Sequence, residues 1–175
     1  MKKKLFAFIL CVFTIAITGT ACATEEATKE SVLENGEVAN APVIAQEYEA
    51  EDAVLSGNAK IEKSISDFSG TGYITGIEED GDKCEFSMEI EDTGFYDLNF
   101  ITASITGDYK ANFVLLDDTN IGTIESQTKE LSDSIIRRVY LEAGTHKVAV
   151  EKSWGWIRLD KLQLIKAEES FGRIE

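Results

Sequence analysis

The chain has 175 residues, which is room for one domain with accessory segments and not for two full-sized hydrophobic cores. Its formal net charge of −15 argues against nucleic acid and anionic membrane surfaces as partners, because both carry the same sign of charge. Neutral ligands and cations stay possible.

Residues 1–23 have the layout of a secretory signal, in which lysines precede an apolar stretch over residues 5–17 and then small residues. We therefore expect an exported protein. Ala21-Cys22-Ala23 fits a signal peptidase site, whereas Thr20-Ala21-Cys22 resembles a lipoprotein box that would be lipidated at Cys22. A bilayer requires roughly 20 apolar residues, so membrane attachment is expected only through such a lipid anchor. A secreted protein and an extracellular, membrane-anchored lipoprotein both remain open.

Residues 24–46 are polar and acidic without a sustained apolar period, and they predict a flexible linker. From Glu47 onward, short alternating apolar runs are separated by Gly, Asp and Asn, and none has the length and period of a helix. We predict that residues 47–167 form one all-β domain and that residues 168–175 are a tail.

The clearest strand covers residues 83–91, where apolar residues alternate with polar ones from Cys84 onward, as in a sheet with one solvated face. Asp92-Thr93-Gly94 predicts a turn into a strand over residues 95–105. Further strands are predicted over residues 48–53, 59–63, 72–77, 111–116, 120–125, 136–141, 147–150 and 156–165. Short polar turns between so many strands favour two packed antiparallel sheets, a β-sandwich of jelly-roll type.

Cys84 is the only cysteine of the predicted domain, because Cys11 and Cys22 belong to the signal. No disulfide can form within the domain, and Cys84 is predicted to be a small buried side chain on its strand. The fold therefore requires a sizeable core or a structural metal.

In the last predicted strand, Asp160 would share a face with two leucines, because side chains alternate along a strand. A carboxylate facing a core is costly unless a partner compensates its charge. Arg158 is one candidate partner and a metal ion is the other. Glu49 and Glu51 in the first predicted strand would point the same way, and three converging carboxylates would suit calcium. A solvated acidic face is the alternative.

Five segments occur in the order and spacing of a known family. They are YEAEDA at 48–53, SGTGYI at 69–74, TGFYDLNF at 93–100, VYLEAGTHKVAV at 139–150 and WGWIRLDKLQL at 154–164. In these segments the domain resembles carbohydrate-binding module family 35, within a wider group that includes families 6 and 36. The resemblance implies a jelly-roll sandwich with a structural calcium between the first and last strands, held by Glu49, Glu51 and Asp160.

Trp154 and Trp156 lie one glycine apart just before the last predicted strand. Exposed aromatic rings offer apolar platforms to sugar rings, at about 1 kcal/mol for each ring. We expect one indole to be buried and the other, Trp156, to be the platform. The W-G-W sequence resembles the mannan-binding branch of family 35, which implies that Tyr73 and Asn112 line the same loop end, with Arg158 as a further ligand residue. Sheet packing for Tyr73 and a turn role for Asn112 are the alternatives.

The resemblance implies non-catalytic binding of a plant polysaccharide, mannan or galactomannan first, by a monomeric module. A second calcium would need another acidic cluster, and Asp117 with Asp118 is more typical of a turn. A small carbohydrate-active enzyme would need two carboxylates roughly 5–10 Å apart in a cleft, and no clear pair is present. A cell-surface protein-interaction domain without glycan affinity is the other alternative. His146, the only histidine, is expected at the surface after a turn.

Overall fold

The computed structural model describes residues 43–167, and most of them lie in β-strands. The strands in chain order are β1 (Ile44–Glu49), β2 (Val54–Ser56), β3 (Lys60–Glu62), β4 (Tyr73–Thr75), β5 (Lys83–Ile90), β6 (Gly94–Ser104), β7 (Lys110–Leu116), β8 (Thr119–Ser126), β9 (Ser132–Leu141), β10 (Gly144–Glu151) and β11 (Ile157–Lys166). The expected signal with Cys22, most of the expected linker and the expected tail lie outside the described residues.

Two antiparallel sheets form the described part of the chain and confirm the predicted β-sandwich of jelly-roll type. One sheet has the order β3-β4-β11-β6-β9, and β1 also pairs with β11. The other has the order β2-β5-β10-β7-β8. β11 thus lies inside its sheet, with β6 on one side and both β4 and β1 on the other, so its side chains can meet residues from distant parts of the chain.

β5 confirms the alternation predicted for residues 83–91. Its four apolar side chains are all buried; they are Cys84, Phe86, Met88 and Ile90. The polar residues between them face outward or lie at the boundary. Burial raises the pKa of the Cys84 thiol to about 12, so Cys84 behaves as an inert apolar side chain, as expected.

The predicted strand over residues 48–53 is wrong in its second half. β1 ends at Glu49, and the next three residues, Ala50–Asp52, form a 3₁₀ helix. Ala50 is fully buried, and its burial turns the chain inward at this point. Glu49 and Glu51 therefore do not alternate along one strand. The short strand β2 that follows was not predicted, and it pairs with β5 through Val54–Ser56.

A β-bulge at Asp160 changes the faces of β11. The residues on either side of Asp160 pair with Thr102 and Ile101, which are consecutive on β6, so Asp160 is the extra residue. Because one extra residue reverses the alternation, the core-facing side chains are Ile157, Leu159, Leu162 and Leu164. The expectation that Asp160 shares a face with the two leucines that follow it is wrong.

The core lies between the two sheets. Its largest fully buried side chains come from both of them; they are Phe86, Phe100, Ile74, Ile77, Met88, Leu98, Ile124, Leu141, Leu159, Leu162, Leu164 and Val114. Cys84 forms no disulfide, and this core provides the apolar burial that a domain without disulfides requires. Across the described part of the chain, no helix has the length and apolar character needed to cross a membrane.

Candidate functional site

The loop between β10 and β11 carries both tryptophans. Trp154 is 63% exposed and Trp156 is 45% exposed, so both indoles reach solvent. The expectation that one of them is buried is wrong, whereas the expected exposure of Trp156 is confirmed. Aromatic side chains have large flat apolar faces, so this loop presents two rings to a ligand.

Backbone shape explains why Trp156 does not enter the core. Gly155 has φ +75° and Trp156 has φ +60°. Both values lie in the left-handed region, which residues other than glycine rarely adopt. A Cβ on Gly155 would lie 2.7 Å from the carbonyl oxygen of Ile77, so only glycine fits there. The carbonyl oxygen of Trp156 accepts a hydrogen bond from the N–H of Ile105 at 2.9 Å. This geometry turns the indole outward just before β11 begins.

Asn112 on β7 holds the tryptophan loop from beneath and is fully buried. Its Oδ1 accepts hydrogen bonds from the N–H groups of Ser153, at 3.2 Å, and Gly155, at 3.1 Å. The N–H of Trp154 donates to the carbonyl oxygen of Ala111 at 2.8 Å. The burial of Asn112 keeps it from direct contact with a ligand. It positions the loop, in place of the expected ligand-binding role.

A cleft of about 330 Å³ lies next to this loop. Its walls include Ile105, whose N–H is bonded to Trp156, together with Thr75 and Lys129. Tyr73 also lines the cleft, but the residue is buried and its hydroxyl lies 2.9 Å from Oγ of Ser64. Tyr73 therefore shapes the wall of the cleft more than it offers a ring to solvent.

Arg158 lies at the floor of this cleft and is almost completely buried. Its Nη1 donates to Oδ1 of Asp67 at 2.7 Å, and its Nη2 donates to the carbonyl oxygen of Lys129. The guanidinium also lies 5.5 Å from the ring centroid of Tyr73. Among the described residues Arg158 forms no ion pair with Asp160, so the expectation that it neutralises Asp160 is wrong. Arg158 therefore stabilises the wall of the cleft.

The three carboxylates expected to bind calcium all reach one turn, Ser69–Thr71. The N–H of Ser69 donates to Oδ1 of Asp160 at 2.8 Å. The Ser69 hydroxyl lies 2.7 Å from Oε2 of Glu49 and 3.0 Å from Oδ2 of Asp160. The N–H of Thr71 donates to Oε1 of Glu51. The 3₁₀ helix and the bulge of β11 thus bring the carboxylates together, where strand alternation alone would not.

This carboxylate cluster lacks a compensating cation within the described part of the chain. None of the ion pairs found there involves Glu49, Glu51 or Asp160. Glu51 Oε2 is buried without a hydrogen-bond partner. A Cβ on Gly70 would collide with Glu51 and lie 3.1 Å from Oε2 of Glu49, so glycine permits the close approach.

The donor types of this cluster fit a hard divalent cation, because carboxylate oxygens are the ligands that calcium prefers. The Ser69 hydroxyl, however, stands between Glu49 and Asp160. Over residues 43–167, no three Asp, Glu, His or Cys side chains are arranged as a metal-ligand set. The cluster therefore has suitable chemistry without a closed coordination sphere.

Asp82 supports the tryptophan loop and was not singled out from the sequence. Its oxygens accept hydrogen bonds from the N–H groups of Asn58, Glu78 and Glu79, at 2.6, 3.0 and 2.7 Å. Burial raises the pKa of Asp82, but these hydrogen bonds outweigh that effect and lower the pKa below its usual value. Its carbonyl oxygen accepts the N–H of Lys152 at 3.2 Å. The sequence around Asp82 reads as a turn, which conceals this burial.

His146 on β10 is half-buried and joined to the turn between β7 and β8. Its Nδ1 lies 2.7 Å from Oδ2 of Asp117, and its Nε2 lies 2.9 Å from the carbonyl oxygen of Glu142. The hydrogen bond to Asp117 raises the pKa of His146, and burial opposes it. Asp117 and Asp118 both have left-handed φ values, +46° and +64°, which confirms the expected turn.

Comparison with known proteins identifies the family of this sandwich. Residues 46–167 match the family described as carbohydrate binding module (family 35). The chain is 34% identical over 124 residues to a mannan endo-1,4-beta-mannosidase of Thermothelomyces thermophilus, an alignment covering 69% of this chain and 25% of the relative. It is 32% identical over 114 residues to mannan endo-1,4-beta-mannosidase A of Piromyces sp, covering 65% of this chain and 18% of the relative. The chain thus spans about a quarter or less of these curated relatives.

Solved structures agree with this match. The Podospora anserina GH26-CBM35 beta-(1,4)-mannanase has a TM-score of 0.65 at 27% identity, covering 70% of this chain and 28% of that one. A family 35 carbohydrate binding module from Clostridium thermocellum has a TM-score of 0.60 at 23% identity, covering 73% of this chain and 99% of that one, and this likeness shows the shared fold. Since the family match extends over well more than half of the sequence, the chain belongs to carbohydrate-binding module family 35.

Proposed function

We propose that this module binds mannan or galactomannan without cleaving it. The observation that carries the proposal is the pair of exposed indoles, Trp154 and Trp156, on a loop held by Asn112 and the neighbouring main chain. Sugar rings are apolar across one face, so flat rings in a fixed position suit them. The mannanase relatives support mannan as the sugar, because their similarity to this chain extends over 124 and 114 residues, about the length of the module at residues 46–167.

The cleft beside Trp156 supports the same function. Its wall combines the apolar side chain of Ile105 with the polar side chains of Thr75 and Lys129, a mixture typical of sites that hold a small ligand by contact and hydrogen bonds together. Arg158 and Tyr73 act by keeping this wall in shape. A ligand lying over Trp156 would place sugar hydroxyls near the cleft.

Affinity electrophoresis in mannan, galactomannan, xylan and pectin gels tests the proposal. Each of Trp154→Ala and Trp156→Ala should lower mannan affinity by about 2- to 10-fold, the worth of one aromatic contact. Tyr140→Ala is the matched control, since Tyr140 is also an exposed aromatic residue but pairs with Phe95, at the end of β6 remote from the start of β11. Wild-type protein that is retarded by none of the gels, or Trp variants that bind like the wild type, would contradict it.

The absence of catalysis is tested separately by incubating the protein with the same polysaccharides and measuring reducing ends. We expect no release above that of buffer. Release of reducing ends that a carboxylate variant abolishes would favour the alternative of a small carbohydrate-active enzyme. Wild-type protein that binds no plant or microbial glycan would favour the protein-interaction domain.

We also propose that Glu49, Glu51 and Asp160 hold a structural calcium ion. The support is a set of carboxylates around one turn, in which Asp160 is buried, Glu49 and Glu51 are half-buried and Glu51 Oε2 has no hydrogen-bond partner. No cationic side chain among the described residues pairs with them, and the ion would supply the missing positive charge. Calcium should therefore raise the melting temperature of chelator-treated protein. Asp160→Asn and Glu51→Gln should abolish that rise, and Asp118→Asn, in an exposed turn, should keep it. If calcium does not change the melting temperature of the wild type, the calcium site is excluded.

We propose, finally, that the module is exported as a monomer and is secreted or anchored by a lipid on Cys22. The support is the signal-like composition of residues 1–23. Incorporation of labelled palmitate into the wild type, and its loss in Cys22→Ser, would demonstrate the anchor. Protein found only in the medium, without label, would indicate simple secretion.

A further inference from the structure

The tryptophan loop borders two more exposed aromatic residues, one just before β7 and one on β7. The N–H of Trp154 is bonded to the carbonyl oxygen of Ala111 at the start of β7. Tyr109 and Phe113, two residues to either side of Ala111, are 48% and 37% exposed. Aromatic surface therefore continues from the loop onto the strand that supports it.

These two side chains lie on the outer face of the sheet that contains β7. Asn112 and Val114 point into the sandwich and are fully buried, so Ala111 and Phe113 point outward by alternation. Glu125 on β8 pairs with Ala111, and the hydroxyl of Tyr109 donates to Oε1 of Glu125 at 2.8 Å. This hydrogen bond holds the Tyr109 ring against the same face.

The spacing of the two rings exceeds the width of one sugar unit. A strand rises roughly 3.4 Å per residue, so four residues separate Tyr109 and Phe113 by about 13 Å. The N–H of Trp154 is hydrogen-bonded to Ala111, midway along this interval, so the three exposed aromatic residues border one strip of the sheet. A pocket for a chain end would instead need a wall across that strip.

The charge on this strip restricts the ligand. Glu125 stands opposite Ala111, and Glu151 on β10 stands opposite Phe113. Carboxylates accept hydrogen bonds from sugar hydroxyls, and they repel sugars that carry acid groups. The strip therefore suits a neutral polysaccharide.

We infer that the module binds an internal segment of a neutral linear polysaccharide, which crosses from the tryptophan loop over Tyr109 and Phe113. This inference rests on the proposed glycan-binding function and adds the mode of recognition. Several consecutive sugar units then contribute to affinity, and a free chain end is not required.

Calorimetric titration with linear β-1,4-manno-oligosaccharides from the disaccharide to the hexasaccharide tests this inference. Wild-type affinity should increase with chain length. The double variant Tyr109→Ala, Phe113→Ala should lose about 2- to 10-fold per ring for the longest oligosaccharide and bind the disaccharide as the wild type does. The ring-preserving variants Tyr109→Phe and Phe113→Tyr should retain the length dependence. Tyr140→Ala, on the other sheet, is the control for a generic loss of surface aromatic area.

The outcomes separate the inference from the proposed function. If the wild type binds mannan but the double variant shows the same length dependence, the inference is wrong and the function stands. If the wild type binds none of the oligosaccharides, whatever their length, both the inference and the proposed function are wrong. Sedimentation of the wild type as a dimer that Phe113→Ala converts to a monomer would show that the strip joins two copies of the chain, and that also overturns the inference. Circular dichroism confirms that each variant is folded.

Discussion

Asn112 shows how one buried amide can control an exposed site. Asn112→Ala would leave the N–H groups of Ser153 and Gly155 without their acceptor. A buried group left unsatisfied costs about 1–3 kcal/mol, so urea unfolding should show a loss of that order. Mannan affinity should fall as well, although Asn112 touches no solvent, because the indoles lose their support.

Asn120→Ala is the matched control, because Asn120 is an exposed amide on the neighbouring strand that accepts a hydrogen bond from Gly122. It should change neither stability nor affinity appreciably. If Asn112→Ala behaved like this control in both measurements, Asn112 would not position the loop.

The pair formed by His146 and Asp117 makes stability depend on pH. The raised pKa of His146 means that its contribution is complete below the ordinary histidine value, roughly 6.5, and is lost as the pH rises through the raised value. The difference in unfolding free energy between the wild type and His146→Gln should therefore shrink on going from mildly acidic to alkaline buffer. A difference that stays constant would mean that the pair contributes no charge interaction.

The lowered pKa of Asp117 governs the acidic limit of the same pair. Burial opposes this lowering, and the hydrogen bonds from Lys147 and His146 outweigh it. The contribution of Asp117 is therefore present above the ordinary aspartate value, roughly 3.9, and is lost as the pH falls through the lowered value. The pair is strongest between these two limits.

At the scale of the element, deletion of Asp160 would remove the bulge of β11 and leave the other side chains of the strand on the same faces of the sheet. Deleting Asp160 leaves the flanking residues opposite Thr102 and Ile101, which are the partners they already have. The core leucines then keep their positions, and the N–H of Ser69 loses its acceptor, while the Ser69 hydroxyl keeps Glu49. We expect a folded variant that is about 1–3 kcal/mol less stable by chemical denaturation.

Deleting Ser87 from β5 is the contrasting control. β5 pairs with β10 without any bulge, so the deletion would move Met88 and Ile90 to the solvated face. That variant should not fold. If deletion of Asp160 were equally disruptive, Asp160 would not be an inserted residue of the strand.

The faces of β11 illustrate which features of an element a sequence can reveal. In β5 the alternation is unbroken and was predicted correctly. In β11 the apolar residues are spaced by two up to Leu159 and again from Leu162, with two polar residues between them. This break in the spacing indicates a bulge, but a prediction that assumes strict alternation along the strand overlooks it. Likewise, the left-handed backbone of Gly155 and Trp156 accompanies the close approach of Gly155 to Ile77, and no local pattern encodes that contact.

For the whole molecule, the sandwich class was predictable because short alternating strands and polar turns recur along the chain. The convergence of Glu49, Glu51 and Asp160 was anticipated by family resemblance, and the 3₁₀ helix that produces it was not. Tyr73, Asn112 and Arg158 were expected to contact ligand and are buried instead. Their burial follows from long-range packing, which a single sequence does not display.

The strongly negative charge of the molecule predicts how salt affects binding. A neutral mannan gains nothing from long-range attraction, so its dissociation constant should change by less than about twofold between low and physiological ionic strength. De-esterified pectin is anionic and should remain unbound at both. Mannan affinity that falls steeply with salt would point to a charged contaminant or a charged ligand. Calorimetry in matched buffers makes the comparison.

The pairing of β1 with β11 sets where attached segments leave the module. Ile44 lies opposite Ile165, so both ends of the described chain emerge together at the finish of β11. Trp156 precedes the start of β11, whose 10 residues, rising roughly 3.3 Å each, cover about 30 Å. A reporter or an enzyme joined directly before Ile44 or directly after Lys166 would therefore begin at the end of the sandwich remote from the indoles, away from a polysaccharide bound by them.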